Sequence, residues 1–299
     1  MHMNGVLFFP VTPFDASDQL NVEVFEEHLS RALAHSPGAV FPACGTGELH
    51  ALDEREYDTL VSVAVAAVGG SAPVIAGTGG SVAQARSMAR AAAKRGADAL
   101  LVLPPYLVSG PQRGMVSYVQ AVASASDLPV IVYNRGLATF TPASIAELLE
   151  DPRIIGVKDG VGNIAAVQQF TLAASRTGRD VLFFNGLLTA ELSQRAYASI
   201  GVPLYSSAVF AMVPEVASSF FEAYVNGDTA RQADLLTHFY EPLVRLRDRV
   251  PGYGVSLIKA GLRLRGLDVG SVRPPLVDPS PDDLRELERL LSVGVELAG

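Results

Sequence analysis

Lysine is scarce in this chain of 299 residues: three occur, Lys94, Lys158 and Lys259, among 23 basic side chains. Lysine is therefore not the general surface cation, and each one asks for a place. A single cysteine, Cys44, excludes an internal disulfide, and a reducing cytoplasm is the expected compartment. The five histidines show no metal-ligand spacing with Cys44 or with each other. No apolar run approaches the roughly 20 residues that span a bilayer, and the opening MHMNGVLFFPVTPF lacks the basic region of a secretory signal. A net charge of −8 without any cluster of Lys and Arg argues against a nucleic-acid or anionic-membrane partner. What is abundant is apolar: 49% of residues are hydrophobic and 18% charged, enough for a sizeable core. A soluble cytosolic protein of one large domain or two small ones is expected.

The apolar residues fall into eight short runs: GVLFF, GAVFPA, PVIAG, ADALLVL, PVIVYN, IIGVK, VLFFN and VPLYSS. Between them lie stretches with a period near 3.6, such as Val22 to Ala34, Asp53 to Val68, Val82 to Arg95 and Ala166 to Arg176. Alternating strand and helix implies parallel strands with helical crossovers, and eight such units predict an α/β fold of the (β/α)8 barrel type. An open doubly wound sheet is the alternative, disfavoured because no G-x-G-x-x-G follows the first strand. Residues 1–227 are read as the barrel and 228–299 as a C-terminal helical extension packed on it.

A barrel of this kind places its active site where the strands end, so the residues closing each run are the candidates. They are Cys44-Gly45-Thr46-Gly47-Glu48, Gly77-Thr78-Gly79-Gly80, Pro104-Pro105-Tyr106, Tyr133-Asn134-Arg135, Lys158-Asp159, Asn185-Gly186 and Ser206-Ser207. Strand alternation puts Ile154, Gly156 and Lys158 on one face, and Ile131 and Tyr133 on the matching face of the neighbouring strand. Gly156 is expected to leave space below the lysine. A lysine among apolar groups loses its proton readily and becomes a nucleophile. Beside a phenol that can move protons, it is suited to condense with a ketone and acidify the adjacent carbon. The bland alternatives are a Lys158 that reaches solvent or pairs with Asp159, and a Tyr133 that only packs. Gly45-Thr46-Gly47 offers unobstructed backbone amides and one hydroxyl, suited to a carboxylate. The second glycine-rich turn, AGTGGS, lacks the lysine of a phosphate-binding loop and reads as a tight turn.

Together FFPVTPF, GTGE, PPY, VYN, GVKDG and RPPL, spread over almost the whole chain, resemble the dihydrodipicolinate synthase / N-acetylneuraminate lyase superfamily of Schiff-base barrels. Within it, ACGTGE, VYNR, VKDGVGN, FFNGLLTAE and YSSAVF resemble the branch that dehydrates and decarboxylates a dicarboxylic keto sugar acid. The resemblance implies that Lys158 forms the Schiff base, that Tyr133 relays protons, and that Gly45, Thr46 and Gly47 hold the 2-keto acid carboxylate. Arg135, directly after Tyr133-Asn134, gives a dicarboxylic substrate a partner for its far carboxylate, which a guanidinium can bind bidentately; the bland alternative is a surface arginine on the loop after the fifth strand. Asn185, Gly186, Ser206 and Ser207 are further substrate-binding candidates, one of the two serines being expected to serve packing. No metal or organic cofactor is implied, and relatives' habits suggest a homo-oligomer, a dimer or tetramer. The lysine-biosynthesis synthase has two threonines before Gly-Glu where this chain has Gly45-Thr46, and paired tyrosines where this chain has Tyr106-Leu107. Both departures count against synthase activity. GLLTAE for the branch's GLPTAE is a minor one. An aldolase that releases pyruvate through the same iminium and a non-catalytic keto-acid-binding barrel are the competing readings.

Overall fold

The eight runs become eight parallel strands in the computed structural model, which describes residues 3–105, 108, 110–136 and 138–299. They are β1 (Leu7–Phe8), β2 (Ala39–Val40), β3 (Ile75–Thr78), β4 (Ala99–Val102), β5 (Val130–Asn134), β6 (Ile154–Asp159), β7 (Leu182–Asn185) and β8 (Leu204–Ser207). The order β2-β1-β8-β7-β6-β5-β4-β3 is that of a barrel opened between β2 and β3. A Val40–Val74 bridge and the bond from the Gly77 amide to the Pro42 carbonyl (3.0 Å) span that gap. The expected (β/α)8 barrel is the fold observed. Tyr106 and Leu107, which close the β4 run, lie outside the described residues.

The helices are α1 (Val22–Leu33), α2 (Glu54–Val68), α3 (Val82–Arg95), α4 (Gln112–Ala123), α5 (Pro142–Leu148), α6 (Ile164–Ser175), α7 (Gln194–Ser199), α8 (Val209–Met212) and α9 (Pro214–Val225). Beyond them follow α10 (Thr229–Leu235), a π-turn at Leu236–Tyr240, α11 (Glu241–Arg247), α12 (Tyr253–Leu264) and α13 (Pro281–Ala298). Short polar side chains start them by accepting otherwise orphaned amides: Asn21 for α1, Ser81 for α3 and Asn163 for α6. Asp53 and Glu56 form a reciprocal capping box at α2. Of the last helices, α12 packs against α8, and α13 against α9.

Alternation along each strand divides the apolar residues into two cores. Leu7, Phe9, Phe41, Ile131 and Phe184 fill the barrel, while Phe8, Val40, Val132, Val157 and Tyr205 face the helices. Each fully buried Phe contributes about 1.5–3 kcal/mol through removal of its ring from water. Strict alternation fails at one place. Val130 pairs with Ile154 but Ile131 with Gly156, so β6 carries an extra residue there. Ile154 consequently lies in the outer core and Ile155 packs toward the inner one, contrary to the expected shared face of Ile154 and Lys158. Gly156 and Lys158 keep the expected orientation.

Candidate active site

Lys158 stands at the end of β6 directly opposite Tyr133 on β5. Its side chain is buried, and its Nζ lies 3.9 Å from the centre of the Phe9 ring, 4.5 Å from that of Tyr133 and 5.8 Å from that of Phe184. Three ring faces attract a cation but replace none of the three hydrogen bonds that water gives an ammonium. Burial therefore lowers the Lys158 pKa to about 7, the nearby Arg135 cation adding to the effect. The thiol of Cys44, buried in the same core, is pushed up to about 12 by desolvation and stays protonated.

Asp159 is not a partner for this amine. Alternation turns it to the other side of β6, where Oδ1 accepts from Asn134 Nδ2 (2.6 Å) and Oδ2 from the Gly162 amide (3.0 Å) and the Tyr197 hydroxyl. Asn134 in turn accepts from the Phe140 amide at 2.8 Å. This cluster ties the loops after β5 and β6 together behind the two reactive side chains.

The Tyr133 hydroxyl donates to the Gly186 carbonyl (3.1 Å) and accepts from Arg135 Nη1 (2.7 Å). Desolvation raises its pKa, and the Arg135 cation pulls the other way. Arg135 is half-buried, with one guanidinium nitrogen committed to the phenol. Two glycines make the arrangement possible. A Cβ on Gly186 would lie 2.3 Å from Lys158 Cε, and one on Gly160 would lie 3.0 Å from the Tyr133 hydroxyl oxygen. The space expected beneath the lysine at Gly156 is taken by β7, since a Cβ there would meet the Leu182 carbonyl at 2.8 Å.

The loop after β2 enters and leaves through left-handed residues, Ala43 (φ 51°) and Glu48 (φ 54°). Among the described residues the amides of Gly45, Thr46 and Gly47 donate to no acceptor, and the Thr46 hydroxyl makes no hydrogen bond. Consecutive free N–H groups form a seat for an anion. The loop is fastened from behind. Thr12 Oγ1 donates to the Gly47 carbonyl (2.7 Å), and the Glu48 carboxylate, wholly buried, meets Lys259 Nζ of α12 at 3.0 Å and the Arg273 amide at 2.8 Å. Arg273 begins the RPPL motif. Its guanidinium binds Glu56, Asp18 and the Ala51 carbonyl.

Asn185 stands elsewhere than expected, and of the two serines it is Ser207 that turns away from the site. Ser207 faces out of the barrel, fully buried, donating to Glu191 and accepting from the Phe210 amide. Consecutive residues of a strand face opposite ways, and here Ser206 is the inward one, its hydroxyl donating to the Asn185 carbonyl at 3.3 Å. The Asn185 side chain is used up in shaping the β7 loop: Nδ2 donates to the Ala190 carbonyl and Ser193 Oγ, and Oδ1 accepts from the Leu187 amide. These bonds hold the loop that carries Gly186. Phe9 and Lys259 were not singled out from the sequence for any role in the site, and Glu48 and Asp159 entered only as members of the strand-end runs, Asp159 also as a possible partner of Lys158. A signal existed for Lys259, a lysine inside the apolar run SLIKAGL.

An eight-stranded parallel barrel with a desolvated lysine at the strand ends, an adjacent phenol and a seat of free amides defines an enzyme equipped for covalent amine catalysis. The chain belongs to the dihydrodipicolinate synthetase family, whose pattern it matches over residues 2–293. It is 51% identical over 295 residues to a protein of Streptomyces avermitilis named probable 5-dehydro-4-deoxyglucarate dehydratase 2, covering 99% of this chain and 88% of that one. A protein of the same name from Streptomyces coelicolor is 50% identical, with 99% and 91% covered. Among solved structures, dihydrodipicolinate synthase from Oceanobacillus iheyensis superposes with a TM-score of 0.89 at 26% identity, covering 97% of this chain and 96% of that chain. Among the described residues no helix is long and apolar enough to cross a membrane.

Proposed function

We propose that the protein is a 5-dehydro-4-deoxyglucarate dehydratase that turns this dicarboxylic keto sugar acid into 2,5-dioxopentanoate, CO2 and water. The observation that carries the reading is the Lys158 amine, lowered to a pKa of about 7 over the rings of Phe9, Tyr133 and Phe184. The named Streptomyces relatives support the choice of substrate.

In this reading the 2-keto carboxylate sits on the amides of Gly45, Thr46 and Gly47, and neutral Lys158 attacks the ketone beside it. Loss of water gives an iminium, which acidifies the neighbouring methylene. Tyr133 carries protons for these steps, its phenol held by Arg135 and Gly186. The enamine formed on deprotonation expels the β-hydroxyl. The conjugated iminium that results extends the electron sink by two carbons, so the distal carboxylate leaves as CO2 with its electrons drawn onto nitrogen. Reprotonation, tautomerisation and hydrolysis release the product and free the lysine. Arg135 offers its remaining guanidinium nitrogens to the distal carboxylate, and Ser206 offers its hydroxyl to a hydroxyl of the substrate. A homo-oligomer, dimer or tetramer, working in the cytoplasm completes the proposal.

The test is an NMR time course of the purified protein with 5-dehydro-4-deoxyglucarate. Formation of 2,5-dioxopentanoate with CO2 is expected. Pyruvate with tartronate semialdehyde would make the protein an aldolase instead, and no adduct of Lys158 on borohydride reduction with substrate would leave a binding barrel.

A further inference from the structure

Lys259 is the second buried lysine of the chain, and its surroundings are the opposite of those of Lys158. Its Nζ donates to the Thr12 carbonyl (2.9 Å), Glu48 Oε1 (3.0 Å) and the Ser271 carbonyl (2.6 Å), which engages all three ammonium hydrogens. Burial lowers its pKa and Glu48 opposes that, but with every hydrogen engaged the amine is unsuited to attack a carbonyl. Its anionic partner is the residue that ends the Gly45-Thr46-Gly47 loop, and both are fully buried. The second Glu48 oxygen takes the Arg273 amide at 2.8 Å.

A buried ion pair seldom adds stability over an apolar pair of the same shape, so stability alone does not account for this one. Its place in the loop does. Glu48 holds a left-handed backbone (φ 54°) that a non-glycine residue keeps only when its surroundings impose it. Thr12 links the same loop a second time, its carbonyl on Lys259 and its hydroxyl on the Gly47 carbonyl. The loop's three amides have no acceptor of their own among the described residues, and an unrestrained segment of this kind would turn them into internal bonds or water.

We propose that Glu48 and Lys259 are a positioning pair that holds the Gly45-Thr46-Gly47 amides open for the carboxylate of a 2-keto acid, so that α12 of the C-terminal extension belongs to the catalytic apparatus. The inference rests on the Schiff-base reading above. It separates two functions: the pair serves the carboxylate seat, and leaves the reactivity of Lys158 alone.

The experiment compares borohydride trapping of Lys158 by pyruvate and by acetone, which has the ketone but no carboxylate. In Glu48→Gln/Lys259→Met, which removes both charges at near-constant shape, the pyruvate adduct should form about tenfold or more slowly and the acetone adduct within about twofold of the wild-type rate. KM for 5-dehydro-4-deoxyglucarate should rise about tenfold with kcat within about threefold. Equal loss with both probes, or loss with neither, overturns the proposal. Thr12→Val removes the hydroxyl tie alone and should give a smaller pyruvate-selective loss, about threefold, if the double variant does not fold; an unselective effect there overturns it equally. A wild-type protein trapped by neither probe brings down the Schiff-base reading itself.

Discussion

The Tyr133 hydroxyl donates to the carbonyl of Gly186, 53 residues further along the chain and 3.1 Å away. The bond joins the strand that presents the phenol to the loop that passes over Lys158, so one glycine serves both reactive side chains. Its missing side chain leaves room for the lysine and its carbonyl aims the phenol. Replacing Gly186 by Ala would put a Cβ 2.3 Å from Lys158 Cε. The lysine must then swing away or the loop must lift, and either parts the amine from Tyr133. A loss of kcat of about 10²-fold or more, with the fold retained by circular dichroism, is expected. A variant with kcat within a few fold of wild type would show that the amine reacts from another position.

The pH behaviour of Lys158 has a definite sign. Below a pKa of about 7 the amine is protonated and cannot attack, so kcat/KM should climb with pH and level off above 7. The same depression affects stability. Between about pH 7 and 10.5 the unfolded chain binds a proton that the folded one refuses, so stability rises with pH across that window and is held down at neutrality. Lys158→Met should therefore abolish turnover and raise stability at pH 7, by on the order of 2–4 kcal/mol. Guanidine titrations of the two proteins at pH 7 read this directly. An inactive variant of lower stability would mean that the amine is better solvated than its aromatic surroundings imply.

The barrel, Lys158 and the facing Tyr133 were legible because parallel strands buried on both faces are written as apolar runs, and what interrupts such a run at its end is conspicuous. The rest depended on information that spacing does not carry. One extra residue in β6 changed the face of Ile154 without touching Lys158, because the bulge precedes Gly156. Ser206 and Ser207 are indistinguishable by type, and only the register of β8 against β1, with Leu7 opposite Ser206, sends one inward. Asn185 looked like a ligand contact since it closes a strand, yet its partners Ala190 and Ser193 lie a few residues ahead in its own loop. Glu48 and Lys259 are 211 residues apart, and no periodicity connects them. The synthase comparison at Tyr106-Leu107 falls outside the described residues.

His28 provides a test of the fold that is independent of catalysis. It is buried on α1 against the edge of the Phe8 ring, and its Nε2 accepts the Val11 amide at 3.3 Å. An acceptor nitrogen must be unprotonated, and burial, with Arg31 adding to it, lowers the pKa from 6.5 to about 3. Above pH 6.5 both folded and unfolded chains carry a neutral ring and the term is silent. As pH falls from 6.5 toward 3 the unfolded chain takes up a proton that the folded one refuses, and stability is lost by about 1.4 kcal/mol per pH unit. His28→Gln keeps an acceptor for Val11 and removes the titration. Carboxylates act alike in both proteins, so the difference between their unfolding free energies isolates the imidazole. That difference should shift by about 2 kcal/mol or more in favour of the variant between pH 6.5 and 4.5. Parallel curves would mean that the ring becomes protonated inside the fold, and that the Val11 amide has another acceptor.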